Sequence, residues 1–357
     1  MKSQQFSFTV WRFPKRVLLV CACLFVLTGH TNADSLADAK RIYDAGNFAK
    51  AAKLFRPLAQ RGGIEAQSNL CAIYNLGIGV PQDNKEAAKW CRMAAEQGDA
   101  SSQFYFGAMY DEGQDVPQNY IEAVKWYRLA AEQGDVVAQY SLGLMYEDGN
   151  GVAQDYIEAV KCYQLAAEQG NAKAQHNLGL MYYQGRGVPQ DYEEALKWYR
   201  LAAKKGNALA KLKLGLMYQV GIGVPQNYKE AMNWYRVAAA QGSAPAQGSL
   251  GDMYENGKGV PQDYKEAVKW YRQAASQGDA GAQGSLGWMY YLGQGVPQDY
   301  VLSHMWFNIA AANDKNNEIQ KHDTEQRNHV AEHMTTKQIA EAQDLARKCT
   351  ANKFKGC

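Results

Sequence analysis

The chain has no apolar run long enough to cross a bilayer: the stretch Val17 to Leu27 falls far short of the roughly 20 residues a spanning helix needs, and no other segment comes close. Charge of one sign is missing too. Lys and Arg number 38 against 36 Asp and Glu, a formal net charge of +2 without a basic cluster, which argues against nucleic acid as a partner. Beyond residue 33 there is no Ser-x-x-Lys and no Gly-x-Ser-x-Gly, so acyl transfer has no nucleophile to carry it. Glycine pairs such as Gly185-Arg186-Gly187 lack the Gly-Lys-Ser/Thr continuation and follow a helical pattern where a strand would be required, which removes a phosphate-binding loop.

What is present begins with a leader. Lys2, Arg12, Lys15 and Arg16 precede Val17 to Leu27, and small or polar residues then lead to Thr31-Asn32-Ala33. Residues 1–33 read as a secretory signal peptide cleaved after Ala33. The expected location is the periplasm or the exterior, by export of the Gram-negative bacterial type, for a soluble mature chain. Only six apolar residues separate Arg16 from Cys23, which leaves little room for the apolar segment that a lipidated cysteine requires. Cleavage removes four basic and no acidic side chains and shifts the net charge to −2.

Tyr74, Tyr110, Tyr146, Tyr182, Tyr218, Tyr254 and Tyr290 stand 36 residues apart, each followed by a Gly-rich turn. A fixed period in this range marks a stacked array in which each unit buries its apolar face against its neighbours. Residues 99–134 show why each unit is a pair of helices. Asp99 is an N-cap, Gln103, Phe106, Gly107 and Tyr110 recur at helical spacing, and Gly113 ends the run. Pro117 cannot continue a helix, and Asn119 followed by Glu122 has the spacing of a capping box. Ala123, Trp126, Tyr127, Ala130 and Ala131 then give the second helix its apolar face, with Trp126 and Tyr127 expected to fill the space between units. Departures are few: Asp115 stands at the second turn glycine, Ala153 at the proline and Lys211 at the glutamine of the first helix. Aspartate tolerates positive φ, so the turn at Asp115 should survive.

Five cysteines follow the leader, an odd number that leaves at least one unpaired within the chain. Cys71 takes the place of a first-helix glycine and Cys91 that of a second-helix tyrosine in the same repeat. A disulfide between them and two small buried thiols are both open readings. Cys349 and Cys357 could close a short terminal loop, with Cys162 left over.

The pattern A-x-Q-x-x-L-G-x-M-Y-x-x-G-x-G-V-P-Q-D-Y-x-E-A-x-K-W-Y-x-x-A-A-x-Q-G resembles the Sel-one-like repeat (SLR) family, a relative of the tetratricopeptide repeat with a longer turn between its helices. The resemblance implies an all-α fold, a right-handed α/α superhelical solenoid, with seven repeats over residues 63–313. Residues 34–62 look like a shorter tetratricopeptide-type hairpin capping one end, and 314–357 form a helical cap or tail. It also implies a non-enzymatic scaffold or adaptor for protein–protein interaction, with no cofactor. Some secreted members of the family are penicillin-binding or β-lactamase-like, but their cysteine pair in nearly every repeat is missing here.

His329-Val330-Ala331-Glu332-His333 is a literal H-x-x-E-H string, the inverted zinc-peptidase motif. Such an enzyme needs a third protein ligand on a separate packed element, and only Glu341 and Asp344 follow as carboxylates; a solvated capping helix is the preferred reading, with no catalytic or metal residue assigned. Recognition is expected on the concave face, which in tetratricopeptide-like stacking the first helix of each hairpin lines. The positions there that vary between copies include Phe104, Tyr140, His176 and Leu212 in one row and Asp111, Glu147, Tyr183 and Tyr291 in a second, with Trp288 beside them. An apolar stripe with an acidic edge suits a protein or peptide segment carrying apolar anchors and basic residues. Cell-wall glycan or peptide is the alternative ligand. Whether Leu144, Leu180 and Leu216 belong to that stripe or to the core stays open at this point.

Overall fold

Glycine, asparagine and aspartate punctuate the chain into short helices, and a computed structural model shows them: residues 35–313, 317–354 and 356–357 are described, and the proposed leader lies outside them. Among the described residues there are eighteen helices and no strand. The chain divides into two compact units, residues 1–155 and 156–357. The division falls within the third repeat. In a stacked array each hairpin touches chiefly its neighbours, so a change in repeat type need not coincide with a change in contact density.

In the first unit, α1 (35–44) and α2 (Phe48–Gln60) form the terminal hairpin. They are followed by α3 (Ile64–Leu76), α4 (Asn84–Glu96), α5 (Ala100–Glu112), α6 (Tyr120–Glu132) and α7 (Val136–Asp148). The second unit runs α8 (Tyr156–Glu168), α9 (Ala172–Gln184), α10 (Tyr192–Lys204), α11 (Ala208–Val220), α12 (Tyr228–Ala240), α13 (Ala244–Glu255), α14 (Tyr264–Ala275), α15 (Ala280–Leu292), α16 (Tyr300–Asn313), α17 (Asn317–Ala331) and α18 (Thr336–Ala351). Odd-numbered helices from α3 to α15 are first helices of repeats and the even ones that follow are second helices. Within the first unit the helices from α2 to α7 pack consecutively, as do those from α8 to α17 within the second, and α17 and α18 both pack against α16.

The long turn is built from three recurring devices. The first glycine takes the left-handed conformation that ends the first helix, as at Gly113 (φ 69°) and Gly185 (φ 69°). The glutamine of Val-Pro-Gln then donates back to a carbonyl in that helix's last turn: Gln118 Nε2 to Asp111 O at 2.7 Å, and Gln190 Nε2 to Tyr183 O at 2.9 Å. At the second turn glycine the turn presses on the preceding repeat, where a Cβ on Gly187 would lie 2.2 Å from the Tyr156 carbonyl oxygen. Asp115 holds the same left-handed conformation at φ 53°, as its chemistry allows.

The capping box expected at Asn119/Glu122 forms only by half, and so does its counterpart at Asp83/Glu86 in the first repeat. The Asp83 and Asn119 side chains accept from backbone N–H groups in the first turn, including those of Glu86 and Glu122. The return bond is preempted because each cap N–H already donates to the periodic tyrosine's carbonyl, Asp83 to Tyr74 at 3.1 Å and Asn119 to Tyr110 at 2.9 Å. The glutamate turns instead to the lysine three residues on, as in Lys125–Glu122 and Lys197–Glu194. A complete capping box occurs at Thr335 and Gln338, at the start of α18.

Adjacent repeats are tied by polar side chains that the periodicity singled out without explaining. Buried Gln103 donates to Ala95 O at 3.2 Å in the preceding second helix and accepts from Gln133 at 2.8 Å in its own. In the second unit Gln247 does the same with Ala239 O at 3.3 Å and Gln277 at 2.7 Å. Lys211, the exception, keeps half of this link by donating from Nζ to Gln241 Oε1 at 2.9 Å. Replacing Gln247 with leucine removes both bonds, leaving the Ala239 carbonyl with backbone donors such as the Gly242 N–H alone, and is expected to cost about 1–3 kcal/mol. Urea unfolding would measure it, and a leucine variant as stable as the parent would show the link to be dispensable. The periodic tyrosines make a second tie, accepting at their hydroxyls from an arginine of the preceding repeat: Arg128 to Tyr146 at 3.0 Å and Arg200 to Tyr218 at 2.7 Å.

The Trp-Tyr pair is placed differently from the expectation. Tyr127, Tyr199, Tyr235 and Tyr271 are at most 2% exposed and lie inside their own repeat, each against the glycine of the partner first helix. Trp126 is half-buried and packs edge-on against Phe106 at 5.3 Å in the same repeat. The ring fits because the glycine has no side chain: a Cβ on Gly107 would sit 2.9 Å from the Tyr127 ring. In the first repeat, where Cys71 replaces the glycine and Cys91 the tyrosine, the two sulfurs are bonded to each other. Cys349 and Cys357 form a second disulfide, and Cys162 is buried.

Candidate functional site on the first-helix face

The first helices stand beside one another within each unit, as α3 does with α5 and α13 with α15. In the first unit, Phe104 on α5 stacks on Tyr127 with ring centroids 5.8 Å apart, and the Tyr127 hydroxyl donates to Asp111 Oδ2 at 3.1 Å. Phe104 and Asp111, one from each row read from the sequence, are therefore joined through a tyrosine of the second helix. Burial raises the Asp111 carboxyl above its usual range, opposed by the Tyr127 bond, while burial and the same carboxylate push the Tyr127 phenol up strongly. Tyr140, Leu144 and Glu147 on α7 are half-buried.

In the second unit, Tyr183 lies edge-on to Tyr192 at 5.3 Å, with Lys213 Nζ 5.9 Å above its ring. Leu212 is half-buried against Met232, Tyr235 and their neighbours. Leu180 and Leu216 are also half-buried, so the leucine positions belong partly to the face and partly to the core. His176 is the departure: it is 7% exposed, packs against Tyr199 at 5.6 Å, and burial lowers its pKa to about 4. His176 therefore sits in the interior as a neutral ring and is not free to meet a partner.

At the end of the second unit the structure gathers more than the sequence indicated. Trp288 packs edge-on to Phe307 at 5.5 Å and to Tyr291 at 5.7 Å. Tyr291 in turn meets Tyr300, His329 and His333 at ring separations of 5.6, 5.7 and 6.0 Å. Helix α17 thus continues the face beyond the last first helix, and Asp323 on it covers Gly284. The two histidines were legible only as a motif on a tail, because nothing in the period relates them to Tyr291. Among the described residues no group of three or more His, Cys, Asp or Glu is placed to hold a metal ion, which leaves the H-x-x-E-H string without the third ligand of a peptidase site.

A family model for the Sel1 repeat matches residues 64–99, 100–135, 136–171, 172–207, 208–243, 244–279 and 280–315. The chain belongs to the Sel1 repeat family, an α solenoid of tandem helical hairpins. Among solved structures it is similar to a Sel1 repeat protein from Oxalobacter formigenes, with 33% identity, a TM-score of 0.64, and coverage of 91% of this chain and 97% of the other. It is also similar to c5321, a protective antigen present in uropathogenic Escherichia coli strains that displays an SLR fold, with 31% identity over 92% of this chain and 86% of that one and a TM-score of 0.47. A comparison with curated proteins finds no match. Repeats of this family mediate protein interactions, and no enzyme family is evident among the matches. Among the described residues no helix is long and apolar enough to cross a membrane.

Proposed function

We propose that the chain is an exported, non-enzymatic adaptor that holds a protein or peptide segment against the first-helix faces of its repeats. One observation carries the reading: the recurring residues are engaged within the fold, whereas the varying ones, His176 excepted, remain partly open. Gln103, Tyr127 and the turn glutamines are committed to buried contacts or backbone carbonyls. Phe104, Tyr140, Leu212, Tyr183, Trp288 and Tyr291 are only half-buried. Such side chains can be covered by a ligand without disturbing the repeat. Glu112 and Asp148 are exposed beside them in the first unit, and Asp252 in the second, which favours a segment with basic residues among its apolar anchors. The leader-like residues 1–33 and the two disulfides support export, since disulfides persist in oxidising compartments.

A photocrosslinking side chain placed at Tyr140 or Tyr183 in the cell should capture discrete protein partners. The same group at Ile121 or Leu201, exposed on second helices, should not. Equal capture from both sets would remove the first-helix face as the binding surface, and capture of glycan strands in place of protein would favour the cell-wall alternative. Fractionation of the same cells tests export, which a cytoplasmic, uncleaved product would contradict.

A further inference from the structure

The two histidines of the H-x-x-E-H string are engaged in the structure. His329 lies in the last turn of α17, and His333 stands just past its end, in the turn where its N–H donates to Val330 O at 3.0 Å. Both Nε2 atoms converge on one point supplied by the last repeat: the Tyr291 hydroxyl lies 3.1 Å from His329 Nε2 and 3.3 Å from His333 Nε2. A phenol has one proton and can donate it to one ring only, so without an ion the other ring must turn an N–H toward the same oxygen. The surroundings hold both rings in place. Tyr300 stacks on His333 with centroids 5.3 Å apart and planes at 22°. Glu332 Oε2 lies 3.5 Å from His329 Nδ1, and its charge favours the proton on that nitrogen, which leaves the lone pair on Nε2. The His329 side chain is 49% exposed, so an ion can arrive from solvent.

We propose that His329 and His333 bind one divalent first-row transition ion, Zn²⁺, Ni²⁺ or Cu²⁺, through their Nε2 atoms where α15 meets α17, with the Tyr291 oxygen beside it and the remaining positions open. Imidazole nitrogen suits these three ions and does not suit Mg²⁺ or Ca²⁺. Two protein nitrogens without a third carboxylate or imidazole make the site a fastening between the last repeat and the terminal helices. It does not depend on the adaptor reading.

The test is titration of the untagged, metal-free protein with zinc chloride and then nickel chloride by calorimetry. One equivalent of ion per chain is expected, with affinity at least about tenfold lower in His329→Gln and in His333→Gln and lost in the double variant. Glu332→Gln should weaken binding about tenfold through the orientation of His329. Circular dichroism of each variant checks that it is folded, and the Cu²⁺ form should show hyperfine coupling to two imidazole nitrogens by electron paramagnetic resonance. No uptake of zinc or nickel by the parent protein overturns the proposal. So does stoichiometric binding that survives in the folded double variant.

Discussion

Changing Gly215 to alanine is expected to destabilise the second unit by about 2–3 kcal/mol, although alanine is the better helix former by about 1 kcal/mol. The sign follows from the geometry. A Cβ at position 215 would fall 2.4 Å from the Tyr235 ring, which is 1% exposed and has no room to retreat. The tyrosine hydroxyl is also engaged, donating to Gln219 at 2.6 Å, so a displaced ring gives up that bond as well. For a unit of about 200 residues, the melting temperature should fall by roughly 4–12 °C. The first repeat supplies the matching rescue: Gly215→Cys with Tyr235→Cys should form the bond seen between Cys71 and Cys91. Mass mapping of the double variant should find the new disulfide, and its stability should exceed that of a Gly215→Cys, Tyr235→Ser control. An alanine variant that melts above the parent would show that Tyr235 does not rest on the glycine.

The second large effect is loss of stability in mild acid. His176 and His304 are 7% and 3% exposed, and burial lowers the pKa of each to about 4, with the charges of Lys213 and Arg327 acting in the same direction. An unfolded histidine titrates near 6.5, so between that value and about 4 the unfolded chain binds protons that the folded chain refuses. Stability from these two rings is therefore complete above pH 6.5 and is lost as the pH falls toward 4. Each ring contributes roughly 2–3 kcal/mol across that window. Urea midpoints at pH 7.5 and 4.5 should differ markedly in the parent chain and much less in the double variant His176→Leu, His304→Leu. Identical pH dependence in the two proteins would contradict neutral, buried rings.

Much of the repeat was readable because its devices are local. A glycine in the left-handed conformation, an Asp or Asn cap and a proline that cannot continue a helix act within a few residues, so hairpins such as α5 and α6 follow directly from the string. The half-formed capping boxes show where local reasoning stops: whether Glu122 returns to Asn119 depends on whether the cap N–H is already taken, and it is taken by the carbonyl of Tyr110. The Trp-Tyr pair shows the same limit. Both residues are aromatic and adjacent, and only the partner helix's glycine decides that Tyr127 is sealed while Trp126 stays half-open. His176 was placed on the recognition face by its row, and its burial against Tyr199 makes it an interior residue.

By itself the sequence determined an all-helical array of 36-residue hairpins and the position of every turn in it, because periodic apolar faces and turn residues act along the chain at short range. It also named the cysteine pair, since two coincident departures from one repeat are visible without coordinates. Tertiary structure alone decided which recurring side chains fasten neighbouring repeats, that Cys71 and Cys91 are bonded, and that His329 and His333 meet Tyr291. Those outcomes rest on contacts between separate helices, and the distances and free volumes that settle them exist only once the helices are packed.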